Sequence, residues 1–451
     1  MQIFKRKAYD KLLEWKDTRN GRSAVLLEGA RRVGKSTLAE TFAKEQYRSY
    51  ILVDFIDEDY GMTEMLESGL KNLDTIFLRL QLNSDVRLYE RESVIIFDEV
   101  QRCPKAREMI KNLVKDRRYD YIETGSLISL KSNTRGIRIP SEEHRITLHP
   151  MDFEEFLLAT GEGTTLGLLK QLFESGEPLG ESTHSMMMEK FRRYMVIGGM
   201  PQAVEEYIET NNIMSVESVK RDILSLYRDD IMRIPGLIGP RTLDLFDRIP
   251  ALLSSPTKVF QPGLIESGRS TRYYDNAIKW LCEAHIFRKC RCNPDPGVAA
   301  GLNENAHRFK CYLLDTGLLI SLAFGNDAEH LSETYKLLLE GDLSINEGMF
   351  FENVVAQILT ANGLDLWFVE MDRAGGGRKY EVDFFIPGIN GITPIEVKSG
   401  ISSKHRSLDV MMEKYGNRIG RAYVIHTKDQ RIDGKIRYIP SYLAIYLRCS
   451  P

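Results

Sequence analysis

A chain of 451 residues, 43% hydrophobic and 28% charged, is long enough for about three domains that each bury a core. A formal charge of −3 and a pI near 6.3 exclude a uniformly basic protein that coats nucleic acid, so any such contact must come from local patches. Cys103, Cys282, Cys290, Cys292, Cys311 and Cys449 contain no C-x2-C pair, which argues against zinc and for free thiols in a reducing cytoplasm. The opening MQIFKRKAYDKLLEW is charged throughout and lacks an apolar signal-peptide centre, and the longest apolar stretch, YLLDTGLLISLAF, is too short to span a bilayer. The expectation is a soluble cytoplasmic protein with no membrane partner.

In chain order, SAVLLEG predicts a short buried strand and STLAETFAKEQ a helix, with GARRVGKST between them. That junction fits G-x-x-x-x-G-K-[ST] through Gly29, Gly34, Lys35 and Ser36. Glycines allow backbone N–H groups to wrap phosphates at a helix N-terminus. Lys35 is expected at the β- and γ-phosphates of ATP and Ser36 on Mg²⁺, with Arg32 and Thr37 completing the nucleotide contacts. SVIIFDEVQRCP then predicts a strand that ends on Asp98, a second holder of Mg²⁺, followed by Glu99 as general base.

Further apolar runs at 50–54, 119–126 and 145–150 alternate mostly with helical segments, which implies a parallel sheet covered on both faces. Ligands of such sheets lie at the carboxyl ends of the strands, which places Thr124 and Ser126 near the γ-phosphate, although Ser126 reads nearly as well as a plain turn. An arginine that reaches across a subunit interface is sought at Arg145 or Arg138; Arg31, Arg32 and Arg102 also lie near the phosphates. The first domain is taken as 1–150.

Residues 151–235 read as helices, in DFEEFLLAT, MMMEKFRRYMVIGG and SVESVKRDILSLYRDDIM, interrupted by GEGTTLGLLKQLFESGEPLGESTH, which predicts a flexible excursion. Met186 to Met188 read as core and linker. Between 236 and 340, two amphipathic helices precede a strand–loop–strand, IFRKCRCNPDPG and HRFKCYLLD, and predict a winged-helix-like module. Its Arg269, Arg272, Lys289 and Arg291 either meet DNA phosphates or form an ordinary solvated face.

The remainder, 341–451, contains KYEVDFFIPGINGITPIEVKSG, a predicted hairpin around a Pro/Gly/Asn turn. A turn centred between Ile389 and Asn390 sets Asp383 across from Glu396; a one-residue slip sets it across from Lys398. Either register leaves Asp383, Glu396 and Lys398 on one face. The amphipathic helix EGMFFENVVAQILTANG can aim Glu352 at the same face. Converging carboxylates repel unless a cation separates them, which makes Glu352, Asp383 and Glu396 candidate Mg²⁺ ligands, with Lys398 to orient water or stabilise a developing anion.

The ordered series GARRVGKST, IIFDEVQRCP, YIETGS, RITLHPMDFEEFL, YMVIGGMPQAVEEY and FKCYLLDTGLL closely resembles prokaryotic AAA+ ATPases with a DUF4143 C-terminal region, relatives of STAND-like archaeal ATPases. The resemblance covers nearly the whole chain. It implies an α/β P-loop domain, a helical lid over 151–235, ATP binding and a hydrolysis cycle. It also implies an adenine contact from Gly199-Met200-Pro201, which reads equally as a helix start with Pro in its first turn. The order Glu352, Asp383, Glu396, Lys398 resembles the PD-(D/E)xK core of restriction-endonuclease-like domains. The functional expectation is an ATPase coupled to a nuclease-like domain, homo-oligomeric and acting on DNA. The alternative is an ATP-dependent switch whose C-terminal domain only binds nucleic acid or protein.

Overall fold

The computed structural model describes residues 3–125, 140–296, 300–324, 328–341, 347–373, 376–377, 379–388, 391–400 and 404–448; Ser126, Arg138 and Cys449 lie outside them. The chain divides into two compact units, Met1–His149 with Glu283–His285, and Pro150–Cys282 with Ile286–Pro451.

In the first unit the apolar runs form β1 (Ala24–Glu28), β2 (Ser49–Asp54), β3 (Ser93–Asp98), β4 (Asp120–Gly125) and β5 (Glu143–Thr147). All pair in parallel, in the order β2-β3-β4-β1-β5, which gives the expected α/β sheet. Among the described residues five helices accompany it: α1 (Lys7–Arg19), α2 (Lys35–Gln46), α3 (Met62–Glu67), α4 (Leu73–Ser84) and α5 (Pro104–Asp116). On α5, Pro104 occupies the first turn, where its missing N–H costs nothing, and Ala106, Met109, Ile110, Leu113 and Val114 recur at helical spacing. They pack with Ile95, Phe97 and Tyr121 of the sheet and with Ile76, Phe77 and Leu80 of α4. Each fully buried Ile or Leu here stabilises the unit by about 1.5–3 kcal/mol.

One charged side chain shares the apolar face of α5. Arg107 is 2% exposed and donates twice to Glu143 of β5, Nε to Oε1 and Nη2 to Oε2, both at 2.8 Å. The fork geometry makes this buried pair bidentate. Nearby Glu123 of β4 is wholly buried, and burial, reinforced by the charge of Glu143, holds its carboxyl well above the usual carboxylate range.

The second unit contains β6 (Phe287–Cys292), β7 (Asn305–Leu313), β8 (Trp367–Met371), β9 (Tyr380–Val382), β10 (Phe384–Gly388), β11 (Gly391–Val397), β12 (Ala422–His426), β13 (Arg431–Asp433) and β14 (Ile436–Pro440). One sheet runs β7-β6-β8-β9, the other β10-β11-β12-β14-β13. The hairpin β6-β7 is the expected strand–loop–strand. It is not a free wing: Arg291 and Cys292 of β6 pair in parallel with Trp367 and Phe368 of β8. Strands from the expected 236–340 and 341–451 modules therefore share one sheet. Open strand edges seek partners, and β8 supplies one to β6.

The predicted helices of the expected lid form over Phe153–Ala159, Glu181–Ile197 and Ile213–Met232. The predicted flexible excursion is corrected, because it contains a helix, Leu166–Ser175, closed by Gly176 at φ 75°. Glycine and serine content masked the helical spacing of Leu166, Leu169 and Phe173. Phe173 stacks on Tyr423 of β12 with ring centroids 6.4 Å apart, and the Tyr446 hydroxyl donates to the Leu166 carbonyl at 2.9 Å. Leu179 and Gly180 amides donate to the carboxylate of Asp429 at 3.0 and 2.8 Å. The expected lid region and the C-terminal strands are thus packed within the same unit.

Candidate nucleotide site and C-terminal acid cluster

The parallel sheet delivers three loops to one end. β1 runs into the segment 29–34, β3 ends at Asp98, and β4, between them in the sheet, carries Thr124. The turn after β1 requires its glycine: Gly29 has φ 154°, and a Cβ there would lie 2.3 Å from the Leu148 carbonyl oxygen. Gly34 precedes α2 in the left-handed region, at φ 92°. Arg32 shares that region at φ 68° without being glycine, a strained conformation held by the loop.

Lys35 opens α2, 7% exposed, with its ammonium donating to the carbonyls of Gly29 at 3.2 Å and Ala30 at 3.0 Å. Burial lowers its pKa, while the charges of Glu99 and Asp98 oppose that shift. Ser36 Oγ donates to Asp98 Oδ1 at 2.7 Å, and Thr124 Oγ donates to the same oxygen. The Glu99 amide donates to Thr124 Oγ at 3.3 Å, and Glu99 itself is held at φ 51°. The expected residues Lys35, Ser36, Asp98, Glu99 and Thr124 are therefore brought together at the carboxyl edge of the sheet. A hydroxyl and a carboxylate in contact are hard oxygen donors of the kind Mg²⁺ takes beside phosphates, so the set fits that ion.

Arg145 lies on β5, 43% exposed, 3.8 Å from both Glu28 Oε2 and Glu143 Oε2. Pro201 is the first residue of the helix Pro201–Thr210, so the helix-start reading of Gly199-Met200-Pro201 is realised. That turn is tightly built: the Gly199 amide donates to Asp315 Oδ2 and its carbonyl accepts from the Met151 amide, both at 2.6 Å.

Sequence reasoning missed two residues of the nucleotide site. Arg6, 6% exposed, donates from Nη1 to the Val33 carbonyl at 2.9 Å and from Nη2 to the His149 carbonyl at 2.6 Å, and so fastens the middle of the phosphate loop. Gln101 donates from its side-chain amide to the Glu99 carboxylate. The only hint was position, since Gln101 follows the strand-end acids by two residues. Arg6→Ala is expected to take the guanidinium donor from the buried Val33 carbonyl and the part-buried His149 carbonyl, and, by loosening the phosphate loop through the Val33 bond, to weaken ATP binding about 10-fold. A binding titration with a fluorescent nucleotide checks this; unchanged affinity in the folded variant would remove Arg6 from the site.

At the C-terminal site the hairpin adopts the first predicted register. Phe384 pairs with Ile395 and Gly388 with Gly391, which extrapolates to Asp383 opposite Glu396. The Val397 amide donates to Asp383 Oδ2 at 2.8 Å, and Lys398 Nζ donates to Glu396 Oε1 at 2.6 Å. Glu352, from the helix Glu347–Ala361, joins them, as do four residues the sequence reading omitted, Lys258, Lys310, Tyr312 and Glu381. Lys310 of β7 donates to Glu352 Oε1 at 3.0 Å, lies 2.7 Å from Glu381 Oε1 and 3.8 Å from Asp383 Oδ1. Lys258 and the Tyr312 hydroxyl also donate to Glu352.

Burial alone would raise the Glu352 pKa, but the Lys258 and Lys310 ammoniums hold it at about 2. Burial, then the charge of Asp383, pushes Glu396 up to about 8 against the pull of Lys398. Metal ligation requires deprotonated carboxylates with free oxygens. Here both Glu352 oxygens, one Asp383 oxygen and one Glu396 oxygen already accept hydrogen bonds. Among the described residues no group of three or more His, Cys, Asp or Glu is arranged to hold a metal. The expected set Glu352, Asp383 and Glu396 does come together, as a cluster bridged by lysine ammoniums.

Residues 21–157 match the family described as an AAA domain, AAA_14; 188–329 match a domain of unknown function, DUF8612; and 347–444 match another, DUF4143. No curated protein matches the sequence. Among solved structures, the Walker-type ATPase PABY2304 of Pyrococcus abyssi is 17% identical with a TM-score of 0.42, over 71% of this chain and 96% of its own. Drosophila ORC bound to DNA is 15% identical with a TM-score of 0.29, over 73% and 94%. The STAND protein PH0952 of Pyrococcus horikoshii is 13% identical with a TM-score of 0.27, over 79% and 48%. No helix among the described residues is long and apolar enough to cross a membrane. The chain is thus similar to AAA domains over 21–157 and to DUF4143 regions over 347–444.

Proposed function

We propose that the first unit binds ATP with Mg²⁺ and hydrolyses it. The observation that carries this reading is the convergence of Ser36 and Thr124 on one oxygen of Asp98, beside the buried Lys35. The Lys35 ammonium exchanges its two carbonyl partners for the β- and γ-phosphates, while N–H groups of 29–37, with Arg32 and Thr37, enclose them. Bound Mg²⁺ would be held by Ser36 and Asp98 and would offset charge on the phosphate oxygens. Glu99 accepts the proton of the water that attacks the γ-phosphorus, ADP departs with the electrons of the broken P–O bond, and Thr124 senses the γ-phosphate. Arg145 of a second copy is the proposed charge donor, and Pro201 the proposed adenine contact.

For the second unit we favour ATP-controlled binding over cutting, because its carboxylates are already neutralised by lysine. Lys398 then neutralises Glu396, to which it donates at 2.6 Å, rather than acting in catalysis. DNA is the proposed partner, supported by Arg269 and Arg241, whose guanidinium carbons lie 4.4 and 3.9 Å from the Tyr273 ring centre, and by exposed Arg272. ATP turnover that does not respond to single- or double-stranded DNA would overturn the DNA assignment.

Lys35→Ala tests the nucleotide site itself. Removing charge-assisted bonds of about 1.5–3 kcal/mol each should weaken ATP binding at least about 10- to 100-fold with the fold intact. Wild-type affinity by calorimetry would refute the proposal.

A further inference from the structure

The C-terminal cluster sets a problem in electrostatics. Four carboxylates, Glu352, Glu381, Asp383 and Glu396, arrive from a helix and from the strand segments 380–388 and 391–397. Such a convergence needs a cation, and burial of the acids makes the need sharper. A divalent ion would take its place between the helix acid and the strand acids. That place is filled from the chain. Lys310 sits on β7, fully buried, and its ammonium reaches Glu352 at 3.0 Å, Glu381 at 2.7 Å and Asp383 at 3.8 Å.

The backbone is arranged to hold it there. β7 pairs with β6 through Cys290 opposite Lys310, and Val259 forms a β-bridge with Lys310 from the other side. That bridge fixes Lys258, held in the left-handed region at φ 51°, with its ammonium on the second Glu352 oxygen. A lysine with both neighbouring strands in register and a non-glycine neighbour in a strained conformation is a placed group rather than a surface side chain folded inward. Formally, three ammoniums, Lys258, Lys310 and Lys398, face the four carboxylates, so a dication added to the cluster would leave it positive.

We infer that the Lys310 ammonium is the resident cation of this acid cluster, standing where a divalent metal would stand. The cluster is a clasp that ties β7 to the helix Glu347–Ala361 and to the β9–β10 segment, and it is closed to metal. The inference concerns the second unit and does not depend on ATP hydrolysis in the first.

The test uses the full chain without nucleotide, in an Asp98→Asn background so that the phosphate-loop ion position does not report. Mn²⁺ is titrated to about 1 mM, the range of weak carboxylate sites, and followed by electron paramagnetic resonance and by melting temperature. The parent is expected to bind no Mn²⁺ in the second unit and to melt at an unchanged temperature. Lys310→Ala is expected to gain one Mn²⁺ per chain and to lose it again when Glu352→Gln is added; Lys310→Arg, which keeps the charge, is expected to behave as the parent. If Lys310→Ala folds poorly, Mn²⁺ should raise its melting temperature where the parent shows no shift. The inference is overturned if the parent binds Mn²⁺ and Asp383→Asn abolishes that binding, or if Lys310→Ala neither binds Mn²⁺ nor is stabilised by it.

Discussion

Glu99→Gln is expected to bind ATP as tightly as the parent chain and to hydrolyse it about 10²- to 10⁴-fold more slowly, the usual contribution of a positioned general base. The amide keeps the size and the backbone of Glu99, which is anchored by its N–H on Thr124 Oγ at 3.3 Å, but it cannot accept a proton. Binding and turnover should therefore separate cleanly, with phosphate release lost and nucleotide affinity retained. Steady-state phosphate release read alongside a nucleotide-binding titration decides the matter. Undiminished turnover would move the base to another residue, whereas joint loss of binding and turnover would make Glu99 part of the nucleotide cradle.

The largest expected effect on stability is at Arg107. Arg107→Leu keeps an apolar side chain on the buried face of α5 but leaves Glu143, its side chain 2% exposed, beside Glu123 without its bidentate partner and with only the half-exposed Arg145 guanidinium, 3.8 Å away, nearby. Breaking a buried pair from one side costs about 3–5 kcal/mol, because the surviving charge stays buried. The double variant Arg107→Leu with Glu143→Leu should recover most of that loss, since no unpaired charge remains. Urea unfolding of the single and double variants measures both. A loss below about 1 kcal/mol in the single variant would mean that water reaches Glu143 and that the pair is not closed.

The nucleotide site was largely legible because its parts are local. The phosphate loop, the acid pair after β3 and the strand ending near Thr124 are each written within a dozen residues, and parallel pairing assembles them without further information. Alternation along the strands likewise made the face shared by Asp383, Glu396 and Lys398 readable, and the turn residues narrowed the register to two choices. What stayed hidden depends on contacts distant in sequence. Arg6 meets the His149 carbonyl across 143 residues, and Lys310 meets Glu352 across 42. In HRFKCYLLD the lysine looks like any polar position of a half-exposed strand; only the acids that fold over it make it central. Leu166–Ser175 failed to show for another reason, its apolar spacing diluted by glycine and serine on the exposed side.

That last helix has a bearing on how the chain is made. The Tyr446 hydroxyl closes on Leu166 across 280 residues, and Phe173 waits for Tyr423. At about 5–20 residues per second of synthesis, Leu166 leaves the ribosome roughly 14–56 seconds before its partner does. The described strands of the first unit are complete by Thr147, and its sheet can form while translation continues. The second cannot complete its packing in that interval and holds Leu169 and Phe173 open to solvent. Its folding is governed by loop closure over long separations, which slows it and exposes it to association with other nascent chains.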